Sequence, residues 1–171
     1  MPPSSPRAAG AARIVGVGGT ASQAVSQTDY AARLGYHHLV SRTDFPHALT
    51  RERFDVILDP IGGPARLANI ERLDRHGRLA VYGNMATFEP VRINSNDLLM
   101  DGKSVLTYNS NLLSQTHPDR LAATATEALR LLADGRIRID ITTEYELADV
   151  DSALQRLAAG GSRGKAVLRV G

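Results

Sequence analysis

The chain has no cysteine, no tryptophan and only two lysines in 171 residues, and none of its apolar runs approaches the length needed to cross a membrane. Without cysteine there is no disulfide, no thiolate zinc site and no cysteine nucleophile, and the chain suits a reducing compartment. The first residues, MPPSSPRAAGAARIVGVGG, lack the basic-then-apolar order of a secretory leader, so a cytoplasmic location with no membrane contact is expected. The formal net charge is only +2, and the arginines behind the high isoelectric point are spread along the chain. No basic block argues for nucleic acid.

What remains is enough apolar material, 43% of residues, to bury the core of one ordinary domain. Residues 1–10, rich in Pro, Ser and Ala, read as a disordered segment, and residues 11–171 as one domain. Residues 13–17 predict a strand, 22–34 a helix closed by Gly35, and 37–40 a short strand, with a connector through Pro46. Residues 54–58 and 78–82 are two further apolar runs, each ending in a glycine-bearing turn. Leu67, Ile70 and Leu73 sit three apart, which predicts a crossover helix between the runs that ends at His76-Gly77. A short helix around Asp97, a strand from Ser104 to Tyr108, a long helix opened by Pro118 and stopped at Asp134-Gly135, an extended stretch 137–141, a helix marked by Leu147, Val150, Leu154 and Leu157, and a last strand over 164–170 complete the chain. The alternation predicts an α/β fold, a mainly parallel sheet flanked by helices.

In such sheets ligands sit beyond the carboxyl ends of the strands. Asp59, Pro60, Ile61, Gly62, Gly63, Gly83 and Asn84 are therefore the expected lining of a crevice for a small molecule. The five histidines show no metal-ligand spacing with one another or with carboxylates, so solvated or loop roles are expected and no metal site is. Asp59 precedes proline, an ordinary turn-forming context, and its structural role is favoured over a catalytic one. Tyr82 stays open between a core aromatic and a crevice hydroxyl. Asp97, Asp101 and Lys103 are expected to cap or solvate their short helix.

The strings DVILDPIGG, GRLAVYGN, LLADGRIR and YELADVDSALQRLAAGGSRGKAVLRV, in this order and spacing, resemble the cofactor-binding half of the quinone oxidoreductase branch of the medium-chain dehydrogenase/reductase family. The resemblance runs from Ala9 to Val170. It implies a Rossmann-like fold and a zinc-independent, NADPH-dependent reduction of a conjugated carbonyl such as a quinone or enone. The nicotinamide amide would be held by backbone around Ile61, Gly83 and Asn84. No catalytic side chain is identified.

Measured against that family, the barrel-like domain and the first βα unit, with its phosphate loop, are not matched, so a truncated Rossmann-like domain is expected. In the order 3-2-1-4-5-6 the unmatched strand is the central one. Three repairs are open: the strand at 13–17 pairs directly with that at 54–58, a neighbouring chain supplies a strand, or the chain is part of a longer product. Gly16-Val17-Gly18-Gly19-Thr20 would serve as a substitute phosphate loop under the first; the favoured alternative is a strand end beside the adenosine ribose.

Gly18, Gly19 and Thr20 put no acidic side chain where NAD's 2′-hydroxyl would be held, so NADP is the expected cofactor, with weak or absent binding also open. Gln27 stands where relatives of this type often carry a lysine, and Arg42 falls where it would face the 2′-phosphate. The outer strand from Ser104 to Tyr108 is expected to form a homodimer, and a separate chain would supply the missing domain. Two other readings stand beside the reductase: a repurposed non-redox enzyme, such as a cyclase, isomerase or dehydratase, and a catalytically silent binding or assembly subunit.

Overall fold

The computed structural model describes residues 9–18, 28–45, 47–160 and 164–170. In chain order the elements are β1 (Val15–Val17), α1 (Thr28–Arg33), β2 (His38–Val40), a 3-10 turn (His47–Leu49), β3 (Phe54–Asp59), α2 (Pro64–Glu71), β4 (Leu73–Val81), α3 (Ser95–Asp101), β5 (Ser104–Thr107), α4 (Ser110–Thr116), α5 (Pro118–Ala133), β6 (Ile141–Glu146), a 3-10 turn (Leu147–Asp149), α6 (Val150–Ala158) and β7 (Lys165–Arg169). Every strand pairing among the described residues is parallel. The expected α/β class with helix-linked parallel strands is what the chain adopts.

The chain divides into two compact units, residues 44–124 and residues 1–43 with 125–171. The first holds a three-stranded sheet in the order β3-β4-β5. Leu79, fully buried at the centre of β4, lies between Ile57 of β3 and Val105 of β5. Leu73 and Leu49 complete the buried apolar set of this unit. The second unit holds two parallel pairs, β1-β2 and β6-β7, with Ile14, Ala31 and Val40 buried beside the first.

Among the described residues β1 pairs with β2 only and β3 with β4 only. Direct pairing of β1 with β3, one of the three expected repairs, is therefore not adopted. Among the described residues each of the two strands has a ladder on one edge only.

Three local expectations are corrected. Leu73 does not belong to the crossover helix, because α2 ends at Glu71 and the Arg72 carbonyl accepts from the Phe54 N–H, 3.0 Å, which starts the β3-β4 ladder at once. His76-Gly77 does not terminate a helix either. His76 has φ 61° and a Cβ at Gly77 would lie 2.8 Å from the Asp74 carbonyl oxygen, so the pair makes a tight irregular turn inside β4, where the register with β3 shifts. The extended stretch expected at 137–141 lies one step later, in β6, and α4 was not anticipated. In α4, Asn109 caps the helix by accepting from the Leu112 N–H, 3.0 Å.

β4 starts five residues ahead of the expected 78–82, at Leu73, and of the helix expected over 22–34 the described part is Thr28–Arg33, residues 22–27 lying outside the described residues. The strands at 13–17, 37–40, 54–58, 104–108 and 164–170 and the long helix from Pro118 fall within a residue or two of expectation, and Asn94 caps α3 by accepting from the Asn96 N–H. Asp97 stands in the first turn of α3, and Asp101 pairs with Lys103 at 2.9 Å at its end. No described helix is long and apolar enough to cross a membrane.

Candidate functional site: two interlocked glycine turns

β3 ends at Asp59 and β4 at Val81, and both strands run into glycine turns at the same end of the sheet. Gly62 and Gly63 take φ 75° and 58°, a region costly for any side-chain-bearing residue. Pro64 follows at the first position of α2, where its fixed φ suits a helix start and its missing N–H is not needed.

The turns are stitched together beyond the strands. The N–H groups of Tyr82, Met85 and Ala86 donate to the carbonyls of Asp59, Pro60 and Ile61 at 3.1, 3.2 and 2.9 Å. At Gly83 a Cβ would lie 2.5 Å from the Pro60 carbonyl oxygen, and at Gly62 one would lie 2.9 Å from the Asn84 side-chain oxygen. Glycine is required at Gly83 by close backbone approach, and at Gly62 by both space and φ.

Beneath them, the Asp59 side chain is completely buried. Its Oδ1 accepts from the Ile61 and Gly62 N–H groups at 2.8 and 2.9 Å, and its Oδ2 accepts from Arg66 Nε at 2.9 Å. Burying a carboxylate is costly unless its oxygens are hydrogen-bonded and paired, and these three donors do both. Arg66, 13% exposed, uses Nη2 to donate to the Gly83 carbonyl at 2.8 Å, so one guanidinium ties the first turn to the second. The favoured structural role of Asp59 agrees with this geometry. Both backbone groups of Ile61 are engaged within the protein, which leaves its partly exposed side chain, rather than its N–H, as its surface contribution.

Gly18 and Arg42 lie in the second compact unit. β1 and β2 run in register, Val17 opposite Val40, and the Gly18 N–H donates to the Val40 carbonyl at 3.0 Å. A Cβ at Gly18 would meet nothing within 4 Å. Arg42 is exposed in the turn after β2, between Ser41, which is buried, and Thr43, which is exposed; the two hydroxyls share a 2.8 Å hydrogen bond. Gly19, Thr20 and Gln27 lie outside the described residues. Gly16 has a packing reason, since a Cβ there would stand 2.9 Å from the Tyr36 ring and 3.0 Å from Leu39.

The structure thus assembles Asp59, Ile61, Gly62, Gly83 and Asn84 at one set of strand ends, and Gly18 with Arg42 at another. Tyr82 is half exposed at the end of β4. Arg66 escaped the sequence reading. Its signal is a cation in the first turn of a helix, where the helix dipole disfavours positive charge and a specific partner is needed to hold it.

Three comparisons with known proteins bear on this geometry. A family model described as zinc-binding dehydrogenase matches residues 34–168. A mycocerosic acid synthase-like polyketide synthase of Mycolicibacterium smegmatis is 25% identical over 116 residues, 68% of this chain and 5% of that protein. A phthioceranic/hydroxyphthioceranic acid synthase of Mycobacterium bovis is 27% identical over 116 residues, again 5% of its length.

Among solved structures, benzyl alcohol dehydrogenase from Acinetobacter calcoaceticus superposes with a TM-score of 0.72 at 20% identity, covering 96% of this chain and 44% of that one. A quinone oxidoreductase from Pseudomonas syringae pv. Tomato DC3000 gives 0.66 at 21%, covering 92% and 49%. These structures establish a shared fold. The chain spans about 5% of the length of the synthases and under half of the solved dehydrogenases.

The family description implies zinc. The residues do not fit it: the sequence has no cysteine, and the described residues hold no group of three or more His, Asp or Glu placed to bind a metal.

Proposed function

The chain belongs to the zinc-binding dehydrogenase family, and on that premise we propose that it is the nucleotide-binding part of an NADPH-dependent oxidoreductase acting on a conjugated carbonyl. The observation that carries this reading is the pair of interlocked, side-chain-poor turns at the ends of parallel β3 and β4, the place where open α/β sheets take their ligands. Gly83 and Asn84 would meet the nicotinamide amide, with the Ile61 side chain against the ring. Gly18, Gly19 and Thr20 would approach the adenosine ribose, and Arg42 the 2′-phosphate. The absence of an acidic side chain at the end of β1 supports NADP over NAD.

A bound nicotinamide would supply hydride delivery to the conjugated acceptor. The protein's part is to place and enclose it, with no protein nucleophile. A quinone or enone fits this chemistry. Much of the acceptor pocket is proposed to come from a separate domain or chain, which leaves this chain with about half of a site. A repurposed cyclase, isomerase or dehydratase, or a silent assembly subunit, is the alternative if no dinucleotide binds.

Calorimetric titration with NADPH and NADH tests the reading. The glycine-rich phosphate loop whose backbone amides would neutralise a pyrophosphate is not matched in this sequence. The expected NADPH affinity is therefore weak, roughly 100 µM to millimolar, or ~4–5.5 kcal/mol of binding free energy, and NADH should bind more weakly still. Submicromolar binding would make residues 16–20 a working phosphate loop. No binding of either, in a folded sample, would end the oxidoreductase reading.

A further inference from the structure

We infer that Arg66, braced on buried Asp59, is a positioning residue that locks the 59–63 turn and the 83–84 turn into one ligand-facing unit; this rests on the reading of the site just given. A cation in the first turn of α2 is opposed by the helix dipole, so the helix itself does not account for Arg66. What holds it is the planar fork of the guanidinium, with Nε on the Asp59 carboxylate at 2.9 Å and Nη2 on the Gly83 carbonyl at 2.8 Å.

Pinning that carbonyl has a directional consequence. In a planar trans peptide the C=O and the following N–H point to opposite sides, so drawing the Gly83 oxygen toward Arg66 aims the Asn84 N–H away from it. Asp59, meanwhile, consumes the Ile61 and Gly62 donors. The brace therefore settles which backbone donor the paired turns present. It also sits immediately before the two rungs that Met85 and Ala86 make to Pro60 and Ile61, so their geometry depends on it.

Arg66→Lys separates this role from simple stabilisation, because lysine keeps a charge for Asp59 and lacks the fork that reaches Gly83 at the same time. Amide hydrogen exchange on the whole 171-residue chain gives the readout that needs no ligand. In the Lys variant, Met85 and Ala86 should exchange about tenfold faster while Leu79 and Leu106 stay within about twofold of the unsubstituted protein. NADPH affinity should fall by about fivefold or more.

Arg66→Ala should behave in the same way at Met85 and Ala86, and ethylguanidinium in the tens of millimolar should restore part of the protection. Unchanged exchange at Met85 and Ala86, an equal rise at Leu79 and Leu106, or faster exchange with undiminished NADPH affinity would each overturn the inference. If the unsubstituted protein binds neither NADPH nor NADH, the cofactor reading fails, while the exchange comparison still decides whether Arg66 sets the turns.

Discussion

At the scale of single residues, the candidate site is governed by where side chains are not allowed. Gly83 is the sharpest case, because its own φ is ordinary and the constraint is the Pro60 backbone alone. Gly83→Ala should cost about 1–3 kcal/mol of stability, as overpacking against a group that cannot swing away does. It should also weaken NADPH binding, since relief requires the two turns to part. Chemical denaturation followed by titration measures both, and a variant as stable as the parent would show that the turns separate freely.

The residues legible in the sequence were those whose chemistry announces itself locally. Asp59 before Pro60, with a glycine pair two residues on, reads as a turn from spacing alone. Arg66 does not, because its partners are seven and seventeen residues away and only the folded crossover brings them together.

At the scale of elements, β3, β5 and the two long amphipathic helices were readable because period and punctuation agreed. β6 was not. Its sequence, ITTEYE, alternates without a strongly apolar face, and its residues are exposed or half-exposed, so the apolar residues at 137, 139 and 141 drew attention upstream. Leu73 misled for the opposite reason. It completes a three-residue spacing with Leu67 and Ile70 by coincidence, while its near-total burial comes from a place in the sheet.

β5 carries the proposal of a homodimer. It ends the β3-β4-β5 order, and Leu106 and Tyr108 are each more than half exposed along it. An apolar edge of this kind gains by pairing with its own copy across a two-fold axis. Leu106→Pro, which removes a ladder donor, is expected to shift a dimer to monomer. Light scattering after size-exclusion chromatography checks both states. A parent that is monomeric at micromolar concentration, or a proline variant that stays dimeric, would remove this strand from the interface.

At the scale of the whole molecule, the class and strand direction were legible because glycine-ended apolar runs joined by helix-period segments leave little alternative to parallel pairing. How the acceptor is bound was not legible, since the family features that build that half of the site have no counterpart in these residues. Purified alone, the chain should therefore show little NADPH-dependent reduction of simple quinones, because orienting the acceptor and excluding water are proposed to need a separate domain or chain. An absorbance assay at ~340 nm reaching several turnovers per second, within the ~1–10³ s⁻¹ ordinary for enzymes, would contradict this.

The all-parallel pairing has a kinetic consequence as well. No described ladder closes through a tight hairpin: β3 must wait for α2 before it meets β4, and β6 must wait for α6 before it meets β7. Each closure loses loop entropy before any rung forms, so ladder formation is slow relative to helix formation. With three short sheets in place of one, every described ladder also leaves two outer strands waiting, and during that delay they are open to strands of other molecules. Recovery of native protein from denaturant should then depend on how dilute the chain is while it folds, and a partner that covers an edge early would act on yield before it acts on stability.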